Sequence, residues 1–267
     1  MDKKCIICEN PLEFLMNDEI LGKYSIDYYL CSNCKCIQTE DPYWLHEAYS
    51  SAIALSDTGI MSRNLDACKK LMPIFKRYFK PTSKVVDYGG GYGILTRMLR
   101  DKGVDAYWTD KYSENLLARG FEYDGHSFVD AILAFEVVEH LTNPFEEIKE
   151  IMSKTDCFIF SISLLKRMDF KSNKEWWYFS SDSGQHIFFP SESTLKHIAD
   201  LLNVTYFNLW GLHILSRKIK FLKIRNLDLF VRYIWQGINY RFLMRKKKGF
   251  ISKTLNDSLL LKKNNYI

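Results

Sequence analysis

From residue 84 to residue 218, short apolar runs alternate with longer stretches of mixed polarity. Val85-Val86, Ala131 to Phe135 and CFIFSISLL (157–165) have strand length and β-branched or aromatic content, so they predict buried strands. The stretches between them have helical character. ILTRMLRDKG follows residue 93 and closes on Gly103, and a helix is predicted to start near Asn143-Pro144. Leu195, Ile198, Ala199 and Leu202 share one face behind Ser191, a suitable N-cap. VTYFNLWGLHILSRK (204–218) reads as two more strands turning at Gly211. Strands alternating with amphipathic helices predict an α/β, Rossmann-like, doubly wound sheet. Upstream, Leu65, Cys68, Leu71, Met72 and Phe75 follow a helical period, and Pro73 is expected to kink or divide that helix.

The stretch KVVDYGGGYG (84–93) sits where a strand should pass into a helix. Asp87 is followed by Gly89, Gly91 and Gly93, residues that let a backbone turn sharply and approach a ligand. The strand-like DAYWTD (105–110) then ends in Asp110, an acid suited to the hydroxyls of a ribose. A turn whose glycines serve packing alone is the plainer alternative. Strand before, helix after and acid at the next strand end favour a nucleotide-like ligand. A doubly wound sheet places its crevice at the carboxyl ends of its strands, so Phe135 and Glu136 are expected beside that ligand. Arg63 and Asn64 stand at the N-terminal end of the upstream helix, where Arg63 is either a carboxylate partner or a solvated arginine.

The N-terminus carries Cys5-Ile-Ile-Cys8 and Cys31-Ser-Asn-Cys34, with 22 residues between the pairs. Two such knuckles suit a tetrahedral zinc ion held by four thiolates. The segment is too short for a core of its own, so the metal would supply much of its folding energy. Four cysteines fill the shell, which makes the zinc structural. Four reduced, buried cysteines are the alternative. Cys36 is left out of the ligand set, and Cys68 and Cys157 read as core residues.

Charge divides the chain unevenly. The net charge is +5, but residues 217–267 hold 14 Lys+Arg against 2 Asp+Glu, leaving 23 against 30, or −7, for the rest. A basic segment on an acidic body implies an anionic partner, whether membrane headgroups, a phosphorylated substrate, nucleic acid or the body itself. Residues 226–248 predict an amphipathic basic helix that docks on the body, forms a dimer contact or lies on a membrane surface. No apolar run reaches the ~18 residues of a membrane span, and MDKKCIICEN has no apolar stretch behind its lysines. A cytoplasmic chain with reduced cysteines is expected.

The spacing D-x-G-x-G-x-G over 87–93 resembles motif I of the class I S-adenosylmethionine-dependent methyltransferases. FVDAILAFEVVEHL resembles the fourth-strand region of small-molecule enzymes in that class, with Glu139-His140 in its E-H position and Val129 as one extra residue. The aromatic loop Trp176 to Phe179 followed by Gln185-His186 resembles a third feature of the group. In related sugar methyltransferases with N-terminal zinc modules the histidine of that step is the proposed base; Ser183 stands where their pattern carries a tyrosine.

The resemblance implies a mixed seven-stranded sheet ending in an antiparallel hairpin. It implies S-adenosylmethionine held by Asp87, Gly89, Gly91, Gly93, Asp110, Phe135, Glu136 and Arg63, and chemistry carried by His186, Glu139 and His140. The implied acceptor is a small molecule: a sugar, a nucleotide sugar or a polysaccharide precursor. The implied divisions are a zinc ribbon (1–40), a linker and helical cap (41–80), the catalytic domain (81–218) and the basic tail (219–267). Two other readings compete. A nucleic-acid methyltransferase would grip with ribbon and tail, but the fourth strand does not end in the N/D-P-P-Y/F signature of amino-group methylation. A non-catalytic binding module is disfavoured by the intact glycine turn and Asp110.

Overall fold

A computed structural model of the chain describes residues 3–49 and 59–218. The predicted basic tail helix lies outside them. The chain opens on an antiparallel meander of β1 (Leu12–Ile20), β2 (Tyr24–Cys31) and β3 (Ile37–Thr39), followed by a short α1 (Leu45–Ala48) and the long α2 (Ile60–Tyr78). Then come β4 (Lys84–Tyr88), α3 (Ile94–Asp101), β5 (Asp105–Thr109), β6 (Ala131–Phe135), α4 (Pro144–Ser153) and β7 (Cys157–Ser161). The last elements are β8 (Phe188–Phe189), α5 (Glu192–Leu201), β9 (Thr205–Leu209) and β10 (Leu212–Ser216).

The main sheet runs β5-β4-β6-β7-β10-β9. The first four strands are parallel, and β10 pairs antiparallel with both β7 and β9. Six strands form among the described residues where seven were expected. The missing one survives as a single parallel bridge of Glu122 to Trp108. Gly120 and Gly125, both at φ 83, break the extended run on either side of it. Just before it the chain forms no helix: residues 111–119 are bends and a turn, tied by the Asp110 and Asn115 side chains.

Successive residues of β4 point to opposite faces of the sheet, and each face has its own core. Val85 packs with Leu71, Phe75 and Leu99 from α2 and α3. Val86 packs with Ile148, Met152 and Ile198 from α4 and α5, in a core that continues to Ile26, Tyr28 and Ile37 of the meander. Helix α2 runs unbroken through Pro73 rather than dividing there. The carbonyl that a proline deprives of its partner lies four residues back, here on the exposed Lys69, where water can serve it.

The small sheet has the order β1-β2-β3-β8. Its outer strand comes from the far end of the chain: Phe188 and Phe189 pair with Gln38 and Ile37. The N-terminal module and the segment after β7 are therefore one sheet.

Candidate active site

The carboxyl ends of the parallel strands open into a cleft of about 1030 Å³. The glycine turn after β4 forms one wall, and its glycines do different jobs. A Cβ on Gly89 would stand 2.5 Å from Val137 Cγ2, and one on Gly93 about 3.0 Å from the Ala118 nitrogen, so these positions are closed by packing. Gly91, at φ +53, has nothing within 4 Å of the place its Cβ would take. It lines the cleft with Gly89 and Gly90, and of the three only Gly91 has open space where a Cβ would stand. The Gly91 N–H donates to Asp110 Oδ2 at 2.9 Å, and Trp108 Nε1–H donates to the Gly91 carbonyl at 2.8 Å. Asp110 Oδ1 accepts from the N–H groups of Tyr112 and Ser113, both at 2.7 Å.

Asp87 is buried behind this turn and accepts from Thr96 Oγ1 at 2.9 Å. Burial pushes its carboxyl up to about 7. It braces the turn from within. Glu136, past the end of β6, holds the left-handed φ of 55, a conformation that costs a non-glycine residue about 1–3 kcal/mol and persists only when its surroundings enforce it. Ser161 enforces it: Ser161 Oγ accepts from the Glu136 N–H at 3.0 Å and donates to Glu136 Oε1 at 2.7 Å. Phe135, Glu136 and Arg63 all line the cleft.

Glu139, His140 and His186 come together from distant parts of the chain. Their ligand-type atoms all lie within 4.8 Å of one another. The 3-10 turn Val138–His140 supplies the first two. The Ile187 N–H donates to the Glu139 carbonyl at 2.9 Å and draws His186 alongside. The two imidazoles meet edge to face with centroids 4.9 Å apart. Glu139 is fully buried and accepts from the Tyr178 hydroxyl at 2.6 Å. Burial, then the nearby charge of Glu136, raise its carboxyl to about 8. His186 Nδ1 bonds the Tyr178 carbonyl at 2.7 Å, and since a carbonyl only accepts, that nitrogen carries the proton and Nε2 keeps its lone pair. Burial, then the charge of Arg63, hold His186 down to about 4; burial and His186 hold His140 down to about 3. Both rings are neutral at ordinary pH.

Cys5, Cys8, Cys31 and Cys34 also converge, with their sulfurs within 4.8 Å of one another. The Cys5–Cys34 separation is 3.6 Å and the Cys8–Cys31 separation 3.5 Å. Thiolates around a tetrahedral zinc with bonds near 2.3 Å stand about 3.8 Å apart, so the set fits such an ion. The two knuckles share a backbone device: Glu9 and Lys35, each following the second cysteine of its pair, take left-handed φ of 57 and 63. The Ile7 N–H points at Cys5 Sγ at 3.4 Å. Cys36 lies 3.6 Å from both Cys5 and Cys34, a fifth sulfur packed against the four.

Comparison with known proteins places this geometry. A family model described as a methyltransferase domain matches residues 61–206, more than half of the chain. The chain belongs to that family. It is an S-adenosylmethionine-dependent methyltransferase. No curated protein matches the sequence. Among solved structures it is similar to magnesium protoporphyrin IX methyltransferase from Synechocystis PCC 6803 with bound SAH, at 15% identity and TM-score 0.44 over 64% of this chain and 90% of that one. It is similar to a chain of the Haloferax volcanii complex of the Trm112 methyltransferase activator with a putative methyltransferase, at 15% identity and TM-score 0.46, covering 64% and 97%. An O-methyltransferase family protein from Burkholderia thailandensis matches at 11% identity and TM-score 0.41, covering 66% and 68%.

Tyr49, which lines the methyltransferase's cleft, and Tyr178, buried beside it, escaped the sequence reading. Tyr49 contacts His140 Nδ1 through its hydroxyl at 2.9 Å and stacks on Tyr112. Tyr178 serves Glu139 with its side chain and His186 with its backbone. Both lie in aromatic-rich stretches that the sequence marks, but no spacing rule ties them to residues 90 or 40 positions away. Among the described residues no helix is long and apolar enough to cross a membrane.

Proposed function

We propose that this methyltransferase acts on a sugar-type small molecule: a sugar, a nucleotide sugar or a polysaccharide precursor. The observation that carries the reading is the make-up of the cleft beyond the glycine turn. Trp177 stands 77% exposed at its rim, beside Ser180, Ser183, Gln185 and His186. An exposed indole next to hydroxyl and amide groups suits a ligand with an apolar face and polar edges. Transfer of labelled methyl groups across a panel of nucleotide sugars tests it, and transfer to RNA instead would overturn the acceptor class. Trp177→Ala is expected to raise the acceptor KM about tenfold, as loss of one exposed aromatic contact should, without changing cofactor affinity.

S-adenosylmethionine supplies a methyl group already activated as a sulfonium, so positioning dominates the remaining work. In this reading Gly89, Gly91 and Gly93 shape the cofactor turn, with Asp87 as its brace. Asp110 meets the ribose, Phe135 and Glu136 flank the ligand, and Arg63 meets its carboxylate. His186 takes the acceptor's proton on Nε2, the nitrogen left free by the Tyr178 carbonyl. Glu139 and His140 hold it in place. His186→Ala is expected to lower turnover roughly 10²–10⁴-fold with cofactor affinity intact. Unchanged turnover would make the imidazole a packing residue only.

Zinc on Cys5, Cys8, Cys31 and Cys34 is structural in this reading. The divisions 1–40, 41–80, 81–218 and 219–267 stand as the working domain scheme. The basic tail is a docking, dimer or membrane-surface segment of a cytoplasmic enzyme.

A further inference from the structure

We infer that Glu139, His140 and His186 bind one divalent cation at the floor of the acceptor half of the cleft. The inference rests on the methyl-transfer reading above but moves His186 Nε2 from proton acceptor to metal ligand, since its one lone pair cannot serve both; the cation would then make a bound acceptor hydroxyl acidic enough to lose its proton to solvent. The first observation is the donor set. Two imidazoles and a carboxylate, without a thiolate, suit first-row divalent ions such as Mn²⁺, Fe²⁺ or Co²⁺. Their ligand atoms lie within 4.8 Å of one another, and bonds near 2.1 Å require about 3–4 Å, a gap that small side-chain torsions close.

A second, independent observation points to a ligand. Glu139 is fully buried, and its Oε2 has no hydrogen-bond partner among the described residues, while Oε1 is taken by Tyr178. A buried carboxylate oxygen left bare costs free energy unless something occupies its lone pairs. The imidazoles are prepared for the same occupant. His186 donates Nδ1–H to the Tyr178 carbonyl, the outer-shell bond that fixes a ligating histidine with Nε2 toward its metal. His140 donates to the Gln185 backbone through its other nitrogen, so Nδ1 accepts from the Tyr49 hydroxyl in the cation-free chain; ligation through Nε2 would turn that bond round, with Nδ1–H donating to Tyr49. The cation would replace the Gln185 contact. Glu136 adds a second carboxylate nearby, opposed by the charge of Arg63.

Three protein ligands leave the remaining positions of a six-coordinate ion facing the cleft. Adjacent oxygens of a polyol fit those positions. The acceptor class is thereby narrowed to one presenting neighbouring hydroxyls, with oxygen as the methylated atom.

The test is a Mn²⁺ titration of the zinc-loaded full chain with S-adenosylhomocysteine present, followed by loss of the free-ion paramagnetic signal. One Mn²⁺ per chain is expected, with affinity reduced at least tenfold in Glu139→Gln and in His186→Ala while both variants still bind S-adenosylhomocysteine. Should Glu139→Gln fail to fold, His186→Ala on the cleft wall carries the comparison. Absence of Mn²⁺ binding in a chain that still binds its cofactor and transfers methyl groups would overturn the cation site alone. Mn²⁺ affinity equal to the parent's in both variants would overturn it too. Failure to bind S-adenosylhomocysteine at all would instead strike the methyl-transfer reading.

Discussion

Gly91→Val is expected to abolish S-adenosylmethionine binding, with a loss of at least about 100-fold in affinity, or ~2.7 kcal/mol. Two effects act together. Gly91 holds φ +53, which disfavours any side chain by about 1–2 kcal/mol and a β-branched one most. Its Cβ would also project into space that no protein atom occupies within 4 Å, so the isopropyl group would fill the place of the ligand rather than press on the fold. The second effect separates Gly91 from its neighbours. A side chain on Gly89 would collide with Val137 at 2.5 Å, and one on Gly90 would come within 2.7 Å of Trp108, so substitutions there should lower thermal stability before they touch affinity. Calorimetry with the cofactor, paired with thermal melts, distinguishes the cases. A Gly91→Val protein that melts normally and still binds as the parent does would move the cofactor away from this turn.

That contrast shows where sequence reasoning reaches. D-x-G-x-G-x-G is a local pattern, so Asp87 to Gly93 were legible as a glycine turn joining a strand to a helix. The same holds for the two C-x-x-C pairs, since each knuckle is built within five residues and needs only its mate. What spacing cannot express is which distant segments share a sheet edge. Nothing in the sequence near Phe188 announces that it pairs with Gln38. The partner strand of that short aromatic run lies 150 residues away. For the same reason Tyr178 and Tyr49 were invisible as partners of Glu139 and His140. The third strand differs again: Glu122 does bridge Trp108, but Gly120 and Gly125 confine the extended run to that single bridge. Pro73 is a case of propensity overruled, where the apolar face of Leu71, Met72 and Phe75 keeps the helix continuous across the proline.

Loss of the proposed zinc from the N-terminal thiolates is expected to lower turnover by about two orders of magnitude while leaving cofactor binding in place. The segment that carries His186 is fastened to residues 1–49 on both sides. Before it, the Leu21 N–H donates to the Ser181 carbonyl, and Trp44 Nε1–H to the Gly184 carbonyl at 2.8 Å. Beside it, Gln185 Nε2–H donates to the Ala48 carbonyl at 2.7 Å. After it, the Thr39 N–H meets the Ile187 carbonyl, β8 pairs with β3, and Thr194 Oγ1 reaches the Cys34 carbonyl at 2.9 Å. The cysteines anchor both ends of that meander, and a structural zinc contributes folding energy that so small a module cannot replace from its own core. The glycine turn owes nothing to it: Gly89, Gly90 and Gly91 are held by Thr109 and Asp110 from the neighbouring strand. Cys31→Ser removes one thiolate from the centre of the set. The expected results are loss of the single zinc in metal analysis, a lower melting temperature and turnover reduced by about two orders of magnitude, the scale of a displaced general base. Cofactor affinity should hold, because its half of the cleft is built on β4 and β5. A zinc-free protein with full turnover, or a purified chain that carries no zinc, would sink this coupling. Joint loss of turnover and cofactor binding would show instead that the meander supports the whole sheet through the core it shares with Val86 and Phe158.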